Sequence, residues 1–290
     1  MSIRPRGRVL AFDSGIGGLG VVRALREALP QGTKVDYLAD NALFPYGEQD
    51  DDLLVSRLLT LIGEQIEARR PDLVLIACNT ASTLALEPLR ARFSVPFVGC
   101  VPPVRWAARV SISRVIGILA TAATVRRPYL GSLHRAYAVD CTMITHGARG
   151  LADLAERAFL GEDIPEVLVS RELAALFGQP GGEDIDTVGL GCTHYTFLTQ
   201  TFARLGPAHV TWLDPAASVA RQAATVLEQH CDAHSVHAPR EAEEEMILTA
   251  PPPEPERLRA AIARMGYGGF TVLERPAPSR AAPQFARLTV

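Results

Sequence analysis

Two cysteines sit in matching surroundings. Asp72-Leu-Val-Leu-Ile-Ala-Cys78-Asn79-Thr80 lines up with Asp186-Thr-Val-Gly-Leu-Gly-Cys192-Thr193-His194. In each, an aspartate opens five mostly apolar residues, a cysteine closes them and two polar residues follow. A short apolar run reads as a buried strand, so each thiol stands at a strand's carboxyl end, where open α/β sheets bind ligands. A turn into a helix there offers free N–H groups and a dipole that lower a thiol pKa. Two thiols facing each other across one carbon suit stereochemical inversion. One thiolate removes a proton from one face, and the other thiol returns one to the opposite face. A free thiol has a pKa of about 8.5 and needs help to ionise. Asp13, ending the first strand, and His194, two residues past Cys192, are available for that. A lone buried cysteine reads as a small core hydrophobe. Two at repeat-equivalent strand ends read as chemistry.

The elements that must position these groups follow from the pattern. Short apolar runs alternate with amphipathic stretches, which predicts an α/β fold of parallel sheet with covering helices. Strands are expected over Arg8–Phe12, Val35–Ala39, Asp72–Ala77, Val95–Val98, Arg114–Ala120 and Asp186–Leu190. Helices are expected over Val21–Leu29, Asp52–Arg69, Ser82–Phe93, Leu151–Phe159, Pro165–Phe177, Ser218–Gln229 and Glu256–Met265. Arg8-Val9-Leu10 and Arg114-Val115-Ile116 open the two halves, followed by Asp13-Ser14 in one and by Thr121 and Thr124 in the other. Two copies of one α/β unit, related by a pseudo-twofold with the site in the cleft between them, account for the repeat. The last fifteen residues, with three prolines, read as a loose tail.

Composition removes several classes. The chain has 290 residues, 48% of them hydrophobic, and a net charge of −3. A large core is available, and no basic field points to nucleic acid or to an anionic membrane. Five scattered cysteines form no disulfide framework and suit a reducing cytosol. Cys100 and Cys141 read as core residues. Cys231 lies near His230, His234 and His237, but without the pattern of a metal site, so no metal is expected. Lys34 is the single lysine and sits in a polar turn, a poor place for a Schiff-base amine. No stretch is long and apolar enough for a membrane span or a signal peptide. Gly15-Ile16-Gly17-Gly18-Leu19-Gly20 fits a dinucleotide fingerprint, with Asp36 at 21 residues beyond Gly15. Asp13 before it would repel a pyrophosphate, and Asp36 begins its strand where a ribose-binding acid ends one. The same glycines also serve a close helix–strand turn.

Four segments together closely resemble the cofactor-independent glutamate racemases of the aspartate/glutamate racemase superfamily. They are Phe12-Asp13-Ser14-Gly15-Ile16-Gly17-Gly18-Leu19, Pro45-Tyr46-Gly47, Ile76-Ala77-Cys78-Asn79-Thr80-Ala81-Ser82 and Gly191-Cys192-Thr193-His194-Tyr195. The likeness extends over residues 8 to 230, and Met246–Glu274 is similar to the family's closing segment. The resemblance implies two similar α/β domains, one of residues 1–98 plus 210–290 and an inserted one of 99–209. It implies that Cys78 takes the proton from D-glutamate and Cys192 from L-glutamate, with Asp13 assisting Cys78 and His194 assisting Cys192. Asp13, Ser14, Pro45, Tyr46, Gly47, Asn79, Thr80, Thr121, Thr124, Thr193 and His194 carry over as contacts to the amino acid. It also implies no cofactor, a cytoplasmic enzyme supplying D-glutamate for peptidoglycan, and leaves a homodimer open.

Some positions depart from the commonest family pattern. Gly20 and Thr196 replace frequent residues, and Val101-Pro102-Pro103 stands in place of Glu-Pro-Gly. Many members carry a glutamate eight residues past the cysteine equivalent to Cys141. This chain has Arg149 there, and Glu156 is the candidate substitute. Two alternatives stay open: a racemase of aspartate or another amino acid, and a catalytically silent amino-acid-binding protein on the same scaffold.

Overall fold

The computed structural model of the chain describes residues 7–234 and 243–273. It opens with β1 (Arg8–Asp13), α1 (Leu19–Ala28), β2 (Lys34–Ala39), α2 (Asp51–Arg69), β3 (Leu73–Ile76), α3 (Asn79–Arg92) and β4 (Phe97–Gly99). A second run follows: α4 (Val104–Val110), β5 (Val115–Thr121), α5 (Ala122–Arg126), α6 (Pro128–Tyr137), β6 (Thr142–Ala148), α7 (Leu151–Phe159), α8 (Glu166–Phe177), β7 (Thr187–Gly191), α9 (Thr199–Leu205) and β8 (Thr211–Leu213). It ends with α10 (Ala216–His234), β9 (Met246–Leu248), α11 (Pro255–Ala263) and β10 (Phe270–Val272).

These strands form two all-parallel sheets, in the orders β10-β9-β2-β1-β3-β4 and β6-β5-β7-β8. The second sheet repeats the β2-β1-β3-β4 order of the first, with β5 for β1 and β7 for β3. The repeat in the sequence is thus a repeat of topology. Its two aspartates do equivalent work at the far end of the sheets. Asp72 accepts from the Arg8 N–H at 2.7 Å, and Asp186 from the N–H groups of Ile112 and Ser113 at 2.6 and 2.7 Å.

Parallel pairing requires helical crossovers, which bury both faces of each sheet. On β1, Val9 and Ala11 pack into a core shared with α1 and α10, while Leu10 and Phe12 face α2 and α3. On β5, Leu119 faces α7, α8 and α9, while Ile116, Ile118 and Ala120 face α4 and α6. The period-2 alternation of side chains thus feeds two core layers from one apolar run. Helix α2 starts sharply because the Asp50 carboxylate caps the N–H groups of Asp52 and Leu53, both at 3.0 Å.

Several elements escape the sequence pattern. Strand β6 is an edge strand paired only with β5, and its half-buried Thr-Met-Ile-Thr-His-Gly-Ala lacks a continuous apolar run. Helices α4, α5 and α9 and the three-residue strands β8, β9 and β10 are also missed, being too short for periodicity to register, and so is the ten-residue α6, which buries only Leu130. Strand β8 pairs with β7, so the second sheet extends to Leu213. The last fifteen residues lie outside those described.

Candidate active site

Cys78 lies two residues past β3, at the carboxyl edge of the first sheet. It caps α3, its Sγ accepting from the Ala81 N–H at 3.5 Å. The thiol faces Ser14 Oγ at 3.7 Å, and Ser14 Oγ lies 3.5 Å from Asp13 Oδ1. Ser14 therefore stands between Cys78 and Asp13, which have no direct hydrogen bond in this arrangement. Asp13 is fully buried. Its Oδ1 accepts from the Gly15 N–H at 2.9 Å, and its Oδ2 accepts from the Thr193 hydroxyl, also at 2.9 Å. Burial raises the Asp13 carboxyl above its usual range, and the charge of His194 with these two donors offsets that only in part. The expectation that a helix N-terminus lowers the Cys78 pKa is reversed in the net. Burial and the Asp13 charge push the thiol up to about 12 against the Ala81 N–H and Ser14. The charge of Cys192 adds to the rise, which puts the two thiols within electrostatic reach of each other.

Cys192 follows β7 at the equivalent edge. The expected α-helix does not begin there. A 3-10 turn over Thr193–Leu198 comes first, and α9 starts at Thr199. The Thr-His-Tyr-Thr-Phe run is poor in helix formers, and buried Tyr195 ties the turn down by donating to the Ala120 carbonyl at 3.2 Å. Cys192 relies on a side chain instead: its Sγ is 3.9 Å from His194 Nδ1. The imidazole is buried against Phe44, with ring centroids 5.2 Å apart, and its Nε2 is 3.0 Å from Glu156 Oε1. Burial opposes an imidazolium, yet the bonds to Cys192 and Glu156 and the charge of Asp13 raise the His194 pKa well above its usual value.

The glycine run closes on this cluster. A Cβ on Gly15 would come within 2.1 Å of Glu156 Oε1, and one on Gly17 within 2.3 Å of His194 Nδ1. Those positions are glycine because side chains from the other half occupy the space. Asp36 is fully buried and holds the Arg8 guanidinium at 2.6 and 2.8 Å. A ribose has no acid to meet there, so the dinucleotide alternative has no support.

Thr80, Thr121 and Thr124 gather across the halves, with hydroxyl distances of 3.0 to 3.4 Å. Asn79 is buried; its Oδ1 accepts from the Cys100 thiol at 3.7 Å, and its Nδ2 has no protein partner. A buried donor without a partner costs free energy unless a ligand takes it. The Tyr46 hydroxyl donates to buried Asp40 at 2.7 Å. Its role is to seat the loop: a Cβ on Gly47 would lie 2.9 Å from the Thr121 Cβ. Beside the loop is a cavity of about 330 Å³, lined by Pro45, Gly47, Thr121, Arg126, Arg149 and Asp153 among others. Arg127 was not legible as a site-region residue. It donates to the Thr80 carbonyl at 3.0 Å and to Thr83 Oγ1 at 3.2 Å, and pairs with Asp51 at 2.6 Å. No sequence motif marks it. Cys100 and Cys141 are buried, in keeping with a place in the core. The side chains of Cys231, His234 and His237 lie outside those described.

The family model for Asp/Glu/Hydantoin racemase matches residues 20–223. The chain belongs to that family. It is 53% identical over 218 residues to a glutamate racemase of Granulibacter bethesdensis, covering 75% of this chain and 78% of that one. It is 43% identical over 238 residues to a glutamate racemase of Brucella ovis, covering 82% and 86%. Among solved structures, Escherichia coli glutamate racemase, in complex with L-glutamate and the activator UDP-MurNAc-ala, superposes with a TM-score of 0.85 at 34% identity, covering 93% of this chain and 98% of that one.

Proposed function

We propose that this chain is a glutamate racemase that interconverts L- and D-glutamate with two cysteines as acid and base, without a cofactor, and that it supplies D-glutamate for peptidoglycan in the cytoplasm. The observation that carries the reading is the equivalence of Cys78 and Cys192. Each follows the matching strand of two sheets with one topology, and Asp13 and Thr193 join the two sites. No helix among the described residues is long and apolar enough to cross a membrane. We also propose two domains that follow the sheets, the second running to Leu213.

In the L-to-D direction, the Cys192 proton passes to His194 Nδ1, and the thiolate takes the Cα proton of L-glutamate. Cys78 then gives its proton to the opposite face of the planar carbanion. Cys192 ends as thiol and Cys78 as thiolate, ready for the reverse reaction, so protons balance. The contrast between the sites matches these roles. Cys78, pushed up to about 12, holds its proton as an acid should, while Cys192 has an imidazole beside it to receive one. In the reverse direction, the ammonium of bound D-glutamate sits next to its Cα and supplies positive charge that favours a Cys78 thiolate. The Asn79 amide and the hydroxyls of Ser14, Thr80 and Thr121 offer neutral donors for the two carboxylates.

The deciding assay follows circular dichroism of both enantiomers of glutamate and of aspartate. Racemisation of glutamate from either side supports the reading, and a clear preference for aspartate overturns the substrate. Cys78→Ser and Cys192→Ser should each lower the rate by on the order of 10²- to 10⁴-fold, the usual worth of a positioned acid or base. Full activity in either variant sinks the two-thiol mechanism.

A further inference from the structure

Cys100 has no part in the proton transfers, yet its thiol is bonded to a residue of the site. It follows β4, and the fold pins its backbone: the N–H donates to the Ile76 carbonyl at 2.9 Å and to Ser82 Oγ at 3.0 Å. The residue is fully buried, and its Sγ donates to Asn79 Oδ1 at 3.7 Å. Asn79 opens α3 between Cys78 and Thr80 and is 1% exposed. Its Nδ2 has no hydrogen-bond partner among the described residues. A carboxamide with one end bonded and the other end buried and unpaired is costly in a folded protein. The cost is recovered when a ligand brings an acceptor, and this amide stands next in the chain to a catalytic thiol.

We propose that Cys100 is a positioning residue for substrate binding: its thiol holds the Asn79 carboxamide by the oxygen and so leaves Nδ2 to donate to a carboxylate of bound glutamate. Donors and acceptors decide the sense of the amide. A thiol has one proton to give, and its sulfur accepts only weakly. Burial pushes the Cys100 pKa well above the usual thiol value, and the charges of Asp214 and Asp13 add to the rise, so the proton stays on sulfur. The buried S–H needs an acceptor, and Asn79 Oδ1 is the one it has. The amide turned by half a turn would set its NH2 against the sulfur, strand the S–H and present Oδ1 to the ligand. An ionised carboxylate only accepts, so Oδ1 would repel it where Nδ2 bonds it. One buried proton thus decides whether Asn79 holds the substrate or opposes it. Cys100 exchanges no proton, and its effect falls on binding rather than on the chemical step.

The proposal rests on the glutamate reading above, and two readouts keep their failures apart. The first needs no substrate. Asn41 and Asn79 are the only asparagines in the chain, so asparagine ¹⁵N labelling gives two side-chain amide pairs. Asn41 Nδ2 donates to the Ala250 carbonyl at 2.8 Å and serves as the internal control. In the ligand-free protein, Cys100→Ala should shift or broaden the Asn79 pair and leave the Asn41 pair in place. An unmoved Asn79 pair in a folded Cys100→Ala variant overturns the proposal, whether or not the protein racemises glutamate. Saturating glutamate should move the Asn79 pair of the unaltered chain as Nδ2 gains its acceptor, and racemisation without that movement also overturns the proposal. No racemisation of glutamate by the unaltered chain overturns the substrate reading instead.

The second readout uses kinetics. A contact made equally in the ground and transition states acts on KM and not on kcat. Cys100→Ala should raise KM for both enantiomers by one factor, about two- to tenfold, the worth of one neutral hydrogen bond, with kcat unchanged. Cys100→Val fills the space without a proton to give and should match it. Cys100→Ser restores a donor and should restore KM. In an Asn79→Ala background, Cys100→Ala should raise KM no further, because the thiol has nothing left to orient. A rise of the same size in both backgrounds, or a loss confined to kcat, overturns the proposal.

Discussion

Asp13 is a buried acid held by one hydroxyl and one amide, and the fold would hold it more easily as a neutral group. Its pKa is raised above the unfolded value by burial. The sign follows: the ionised form is disfavoured in the fold, so this residue lowers stability as pH rises from the unfolded value through the folded one. Asp13→Asn should therefore raise the melting temperature at neutral pH. It should also lower kcat/KM by roughly 10²-fold or more, the scale of lost acid–base assistance. Thermal melts beside the circular dichroism assay check both; a melting temperature at or below that of the parent would contradict the burial argument. Gly17→Ala tests geometry in place of charge. Its Cβ would sit 2.3 Å from His194 Nδ1 and displace the ring, so activity should fall while α1, buried through Leu19, Val22 and Leu25, still forms. Full activity with an intact far-ultraviolet spectrum would show that the ring does not need this place.

At the scale of elements, Arg127 ties the second half to the first. This side chain follows α5 and reaches α3 and the first turn of α2. Its guanidinium is nearly buried, whereas the Asp51 carboxylate is about half exposed. An exposed ion pair is worth roughly 0–1 kcal/mol. Removing the charged donor from the Thr80 carbonyl, which keeps only the Thr83 hydroxyl at 3.1 Å, costs about 1.5–3 kcal/mol. Arg127→Met should thus destabilise more than Asp51→Asn, and it should raise KM because Thr80 loses its anchor. Urea unfolding with kinetics on both variants decides this, and equal losses would assign the strap to the ion pair. Asp186 supports the opposite end of β7. Despite burial, the N–H groups of Ser113 and Ile112 and nearby hydroxyls hold its carboxyl at about 2. A depressed pKa stabilises the fold above the unfolded value of 3.8 and is lost as pH falls through about 2. Asp186→Asn should flatten the acid side of the stability profile. A profile parallel to the parent's between pH 5 and 2 would remove Asp186 from that account.

At the scale of the whole molecule, the two sheets meet through side chains that also form the site. Asp13 with Thr193, Thr80 with Thr121, and Ile16 with Glu156 each join one half to the other. A ligand held by these groups binds only the folded arrangement, so it should stabilise both halves together. Glutamate at a hundredfold over its Kd should add about 2.7 kcal/mol. Calorimetry should then show a higher melting temperature for the whole transition. A shift confined to one of two separable transitions would mean that the site belongs to one half alone.

Much of this was legible in the residues because the signals were local. Apolar runs ending in polar pairs marked β1, β3, β5 and β7, and the repeat marked the thiols as equivalent. An internal repeat needs no tertiary information, since each copy must bury the same strand in the same way. What the fold alone decided came from contacts between residues far apart in sequence. Ser14 stands between Cys78 and Asp13, and Asp13 spends one oxygen on Thr193 of the other half. Tyr46 spends its hydroxyl on Asp40. Glu156 and Arg127 reach the site region from helices or loops without a motif. The direction of the Cys78 shift also needed the fold: a helix N-terminus can be read along the chain, whereas burial and the placing of Asp13 exist only in three dimensions, and those two win.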